Sequence, residues 1–292
     1  MQLGIVLFTS DRGITPATAA QTAEQLGFDS FYVPEHTHMP VQREALHPST
    51  GTTELPDDRY MRTLDPWVAL AAASAVTDRI RLGTAVALPV EHDPIALAKT
   101  IASVDHLSGG RVMLGVGFGW NIDELTDHGV PRGRRRTMLR EYLEAMSALW
   151  CDEVAAYDGE FVAFGPSWAW PKPLQQIDGD KRKIPVLVGA AGTEKNFAWI
   201  TRSAHGWITT PTETDITESI ARLQKMWQDA GRAGQPHITA LAGKPDSTQL
   251  ERWRDAGVSE VLFGLPDRSS DEVIAYLHRL ADKLKLTTAQ GA

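Results

Sequence analysis

Eight short apolar runs, separated by segments of helical periodicity, constrain what this chain can fold into more than any other feature. Strands are expected near residues 3–7, 30–33, 81–86, 112–116, 185–189, 206–209, 237–241 and 260–263. Helices fall between them near 16–26, 66–76, 94–107 and 134–150, and helix-like segments follow the later strands. Thr15-Pro16 and Asp65-Pro66 read as helix starts, an N-cap followed by proline in the first turn, and Ser247 and Ser270 are expected to cap two later helices. Runs such as VMLGV at 112–116 are apolar at every position, as strands buried on both faces are. Eight strands alternating with helices over 292 residues predict an α/β fold, a (β/α)8 TIM barrel in a single domain covering residues 1–292. An open doubly wound sheet would carry a glycine fingerprint after its first strand, but Phe8-Thr9-Ser10-Asp11 stands there.

Two interruptions exceed ordinary connections. Residues 37–63, after the second strand, are polar and hold Pro40, Pro48 and Pro56; residues 151–183, before the fifth, contain a hairpin-like pair around Asp158-Gly159. Loops that follow barrel strands shape the active site, so the first insertion is a candidate lid or substrate wall.

A hydrophobic share of 42% suits a large core, and a net charge of -8 with no broad basic face argues against nucleic acid as a partner. The single cysteine, Cys151, excludes an internal disulfide, the opening MQLGIVLF enters a strand without a leader-like segment, and no apolar run reaches the roughly 20 residues of a membrane span. A cytoplasmic protein acting on a small-molecule substrate, with no membrane partner, is expected.

Catalytic groups of a barrel gather at the carboxyl ends of its strands. The second strand ends in Pro34-Glu35-His36-Thr37-His38, the one exit rich in titratable groups. His36 suits general acid or base work, with Glu35 either orienting it or lying outward. A metal reading of His36 and His38 lacks further ligands, because the fifth, sixth and eighth strands end in Gly189, Thr209-Thr210 and Gly264; no metal is expected. No Gly-x-Ser-x-Gly elbow is present, and Cys151 ends a helix, so a nucleophilic hydrolase is disfavoured. Gly115, Gly117 and Gly119 alternate at the end of the fourth strand, leaving the backbone open to a flat or phosphorylated ligand. The fifth exit, Gly189-Ala190-Ala191-Gly192-Thr193, leads into a helix whose free N–H groups would hold a phosphate.

Five ordered segments, GFDSFYVPEH from Gly27, RIRLGTAVALP from Arg79, SVDHLSGGRVMLGVGFGWNIDE from Ser103, IPVLVGAAG from Ile184 and HGWITT from His205, resemble the luciferase-like monooxygenase superfamily and most closely its deazaflavin-dependent branch. The resemblance spans nearly the whole chain and implies a barrel binding coenzyme F420, or alternatively FMN, at its mouth. By position, Thr84, Ala85 and Val86 resemble the third-strand bulge that backs the ring, with a non-proline cis peptide at Ala85-Val86. Gly117, Gly119 and Asn121 resemble positions lining the ribityl chain. Gly189, Ala190, Ala191, Gly192 and Thr193 resemble the phosphate loop, and His36 the residue facing the reactive ring. Some deazaflavin dehydrogenases carry a glutamate after the fourth-strand glycines; Trp120 stands there instead, as a wall of the pocket, and the proton route must then differ or rest on His36. Arg134, Arg135 and Arg136, with Arg132, are positioned to grip an anionic cofactor tail. The family also implies a homodimer. The expected activity is hydride transfer between a deazaflavin and a small organic substrate; the rivals are an FMN-dependent monooxygenase and a barrel that has lost its cofactor.

Overall fold

The computed structural model describes residues 1–177, 183–213, 215–244 and 246–287. In chain order the elements are β1 (Gln2–Val6), α1 (Pro16–Gln25), β2 (Ser30–Val33), α2 (Pro66–Ser74), β3 (Arg81–Thr84), α3 (Pro94–Leu107), β4 (Val112–Gly117), α4 (Ile122–Asp127) and α5 (Arg135–Cys151). There follow β5 (Ala155–Asp158), β6 (Ala163–Ser167), β7 (Val186–Gly189), α6 (Glu194–Ser203), β8 (Gly206–Ile208), α7 (Thr217–Asp229), β9 (His237–Ala242), α8 (Ser247–Ala256), β10 (Glu260–Gly264) and α9 (Ser270–Leu284). Strands β1, β2, β3, β4, β7, β8, β9 and β10 close into a parallel barrel wrapped by helices, the (β/α)8 TIM barrel expected from the sequence. Strands β5 and β6 form a separate antiparallel hairpin inside the second insertion. Among the described residues no helix is long and apolar enough to cross a membrane.

Local chemistry sets most boundaries. Thr15, Asp65 and Asp93 each accept a backbone N–H three residues on, with proline immediately following the cap. Two expected caps are off by one residue: Asp246 caps α8 through Gln249 N, and Ser269 caps α9 in a reciprocal capping box with Glu272. The third strand stops at Thr84, two residues short of expectation, and the peptide that follows, Ala85-Val86, is cis, as the resemblance implies.

Strand alternation sorts side chains into two cores. Outward-facing Ile5, Phe31, Leu82, Val116, Val188, Trp207 and Phe263 pack under the helices, while Tyr32, Met113, Leu187, Ile208 and Leu262 form a second cluster inside the barrel. Below them, Glu260 accepts hydrogen bonds from the Tyr32 hydroxyl at 2.9 Å and from Thr239 Oγ1 at 3.2 Å. Burial favours the neutral acid, yet His237, followed by Ser30 and the Tyr32 hydroxyl, holds the Glu260 carboxyl below the usual range. The interior is kept this tight by glycines: a Cβ on Gly83 would lie 2.2 Å from the Tyr32 ring, and one on Gly115 would lie 1.9 Å from the Thr84 carbonyl oxygen. Backbone cannot give way as a flexible side chain can. Gly115→Ala is therefore expected to destabilise the fold by about 2–3 kcal/mol or more in urea unfolding, whereas Gly165→Ala, which meets nothing within 4 Å, should stay within about 0.5 kcal/mol of the parent.

Candidate active site

The carboxyl ends of the barrel strands surround a cavity of about 560 Å³, lined by residues of β4, β7, β8 and β9, by residues just beyond β1, β2 and β3, and by the first insertion. That volume lies within the range of sites for cofactors and drug-sized ligands. Its floor is the chain leaving β3. The Val86 side chain rests over β4 and β7, where Gly117 and Gly189 pair in register; a Cβ on either would come within 2.6 or 2.5 Å of a Val86 methyl. Ala87 hooks this segment to β4, donating to Gly115 O and accepting from Gly117 N. Ala85, Val86, Gly117, Gly119, Gly189 and Trp120 line the cavity, as does His36.

Several expected contacts fall elsewhere. The Thr84 hydroxyl is fully buried and donates to Gly115 O at 2.7 Å, so it braces the barrel rather than facing the cavity. Asn121 is buried behind the wall, its side-chain amide directed at Met39 Sδ and Glu124. Glu35 neither orients His36 nor lies outward: its carboxylate accepts from Leu88 N at 2.5 Å and pairs with His92 Nε2 at 2.7 Å, pinning the β3 exit. Burial works to lower the pKa of His92, but this partner outweighs it and raises it. None of Arg134, Arg135 and Arg136 lines the cavity. Arg134 pairs with Glu160 of the hairpin. Arg136 lies 3.9 Å over the Phe118 ring and donates to Asn196 Oδ1, while Asn196 donates to Ala191 O, so the arginine supports the expected phosphate loop from behind.

The carboxylate that does hold His36 is Glu124, on the six-residue helix α4, a residue and an element not anticipated from the sequence. Its Oε2 is 2.8 Å from His36 Nδ1 and its Oε1 accepts from Thr37 N at 2.9 Å. One residue earlier, Asp123 accepts from both Glu44 N and Ala45 N at 2.9 Å, fastening the first insertion. The signal available in the sequence was two acids in the turn after the glycine exit, where a helix N-terminus favours negative charge.

The insertion forms the opposite wall, contributing His47, Pro48, Ser49, Pro56, Asp57, Arg59 and Tyr60. Trp120 stands edge-on to His36 and His47, with ring centroids 5.7 and 4.8 Å away, and His47 Nε2 bonds the Tyr60 hydroxyl at 2.9 Å. Burial, then the nearness of His36, pushes the pKa of His47 down. Arg59 is neutralised by a two-pronged bond to Asp57 and lies 5.3 Å from the Phe8 ring centroid.

Beyond Gly189 the loop after β7, Ala190 to Thr193, is not part of the cavity lining, and its donors are engaged. Gly192 N donates to Glu213 Oε1 at 2.8 Å, and Thr210 donates through its N and Oγ1 to Glu213 Oε2 at 3.1 and 3.0 Å. The Glu213 carboxylate, after β8, thus ties the two loops together. Thr193 caps α6, accepting from Asn196 N; Ala190 is buried, its N–H on Ile208 O and its carbonyl on Trp207 Nε1; Ala191 is exposed.

The luciferase-like monooxygenase family model matches residues 11–284, and the chain belongs to that family. An uncharacterized protein of Mycobacterium tuberculosis is 70% identical over 284 residues, covering 97% of this chain and 99% of the relative. The F420-dependent glucose-6-phosphate dehydrogenase of Microbacterium testaceum is 29% identical over 244 residues, 80% of this chain and 65% of that one. Among solved structures, a monooxygenase of Streptomyces bottropensis superposes with a TM-score of 0.72 at 22% identity, covering 98% and 99% of the two chains.

One titration is set by this site. Glu91 is buried beneath the mouth; desolvation, reinforced by Glu124 and Glu35, raises its pKa from 4.5 to about 9. The folded chain thus holds a proton that the unfolded chain releases between these values. The associated stability is complete below pH 4.5 and is lost as pH rises toward about 9. Glu91→Gln cannot ionise, so its melting temperature is expected to fall less steeply than that of the parent from about pH 6 to about pH 9; parallel melting curves would remove Glu91 as the cause.

Proposed function

We propose that the chain is an oxidoreductase that moves a hydride between a deazaflavin, coenzyme F420, and a small organic substrate. The observation that carries this reading is His36: it lines the cavity beside the Ala85-Val86 floor, and a buried carboxylate, Glu124, holds its Nδ1. That arrangement fixes the ring and leaves Nε2 to handle a proton in the cavity. A histidine so held suits chemistry in which a proton and a hydride move to or from adjacent atoms of a carbonyl or alcohol.

The residues present fit a phosphorylated tricyclic cofactor. Backbone donors at Gly192, after β7, and Thr210, after β8, already grip the Glu213 carboxylate, and the same donor set suits a phosphate. Ala85 and Val86 offer a flat apolar seat, and Trp120, His47 and Tyr60 close the side opposite. The cofactor, when bound, supplies the hydride-carrying ring. The protein's part is to seat it, to exclude water with the aromatic wall, and to hold His36 at the substrate. The relationship to an F420-dependent dehydrogenase supports this choice over FMN; the anion site and apolar seat would accept either.

Titrating the protein into deazaflavin is expected to quench its fluorescence saturably, whereas FMN binding with no response to the deazaflavin would transfer the assignment to the flavin. His36→Ala should keep cofactor affinity and slow turnover by about a hundredfold or more; an unchanged rate would take His36 out of the reaction. Glu213→Gln should tighten binding of the phosphorylated cofactor by about tenfold, because a competing charge leaves the anion site, and should not alter binding of the phosphate-free ring fragment. Equal effects on both ligands would place the phosphate elsewhere.

A further inference from the structure

The aromatic wall opposite the cavity floor carries a hydrogen-bonding group whose direction the backbone dictates. Ser49 N donates to His47 Nδ1 at 3.2 Å, and a backbone N–H can only donate, so Nδ1 is an acceptor and bears no proton. The Ser49 hydroxyl lies 2.9 Å from the same nitrogen. The imidazole proton is therefore on Nε2, which lies 2.9 Å from the Tyr60 hydroxyl and donates to it. With its oxygen accepting from His47, Tyr60 keeps its own O–H to give, and among the described residues no other protein group takes it. Tyr60 lines the cavity, its ring centroid 5.5 Å from that of His36. The turn that sets this direction is itself fastened. His47 N donates to Thr52 O at 2.7 Å, Gly51 N donates to His47 O at 2.8 Å, and Asp123 holds Glu44 N and Ala45 N just before it.

The charges around the cavity indicate what the hydroxyl meets. Arg59 is the one arginine or lysine in the lining, and it is engaged by Asp57, through Nε at 3.0 Å and Nη2 at 2.7 Å, with Asp267 Oδ2 3.8 Å from its Nε. Glu35 is likewise engaged, by Leu88 N and His92. An anionic substrate would find no free arginine or lysine there, and burying its charge without a partner would be costly. We propose that Tyr60 is a substrate contact whose hydroxyl donates to the oxygen of an uncharged ketone or secondary alcohol, with His47 and Ser49 as the positioning residues that aim it into the cavity. The proposal rests on the reading of the chain as a deazaflavin oxidoreductase, with His36 as the group that handles the proton. Tyr60 loses no proton in this role. Its hydrogen bond steadies the negative charge that develops on the substrate oxygen as a hydride reaches the carbonyl carbon. Burial, then Asp57, raises the pKa of the Tyr60 hydroxyl, in keeping with a donor that stays protonated.

Labelling the protein with 15N-histidine tests the direction of the bond without a cofactor. The His47 ring signals, assigned by their loss in His47→Gln, are expected to report the Nε2–H tautomer; an Nδ1–H tautomer would overturn the proposal. Acetophenone, its oxygen-free counterpart ethylbenzene, and glucose 6-phosphate are then titrated into the protein with and without oxidised deazaflavin, following the His36 ring signals. Acetophenone should bind, and Tyr60→Phe should weaken it at least about tenfold while leaving ethylbenzene unchanged. Glucose 6-phosphate should not compete. The contact would be overturned by absent acetophenone binding, by equal effects of Tyr60→Phe on the two aromatic ligands, or by glucose 6-phosphate binding as tightly as the ketone. Failure to bind deazaflavin would instead overturn the functional reading, and the tautomer and the cofactor-free titrations would still decide the contact.

Discussion

The mouth of this barrel depends on one packing relationship, the Val86 side chain resting in the space left by Gly117 and Gly189. Four strands meet there. The end of β2 contributes Glu35, which grips Leu88 N; β3 supplies the segment itself; β4 takes Ala87 between Gly115 O and Gly117 N; and β7 offers Gly189. Because the contacts are short and two of them involve backbone, the segment has one position available to it. Close-packed interiors transmit such displacements rather than absorbing them. The floor of the cavity, and hence the plane in which any ring must lie, is fixed by protein against protein before a ligand arrives.

This relationship also shows what a single sequence can and cannot reveal. The alternating glycines after the fourth strand mark the mouth, and they do so correctly. The reason differs from the one the sequence suggests: the absent side chains make room for Val86 and for the Thr84 carbonyl rather than for a ligand directly. A missing Cβ says that something comes close, not what comes close. The barrel itself is legible because strand and helix periods and proline-led caps are local properties. Helix α4 is not, since it has six residues, no side-chain cap bond and a polar sequence. Glu124 escapes notice for the complementary reason, that its partner His36 lies 88 residues away. Glu35, adjacent to His36 in sequence, points to His92 instead, since neighbours on a strand exit face opposite ways.

Three carboxyl groups, on Glu35, Glu91 and Glu124, are buried beneath the same mouth. Three uncompensated negative charges in one low-dielectric region would be prohibitively costly. The structure resolves this by division. Glu35 and Glu124 each take a histidine and a backbone N–H, while Glu91 keeps its proton, held there by burial and by the other two. The neutral member is as necessary as the charged pairs, because ionising it would oppose the carboxylate that orients His36.

The proposed phosphate site poses an inverse problem. A chain with a net charge of -8 must hold an anionic group if a phosphorylated cofactor is to bind, yet no arginine from the cluster before α5 reaches the cavity. In the proposed reading, backbone N–H groups at Gly192 and Thr210 meet that need without a mobile cation, and the Glu213 carboxylate already satisfies them. An N–H group left bare in such a loop would be costly, so a built-in anion stabilises the loop when no cofactor is present. The arrangement sets a selectivity as well: a ligand lacking a group able to replace a carboxylate gains nothing by entering, whereas a dianionic phosphate offers stronger bonds to the same donors.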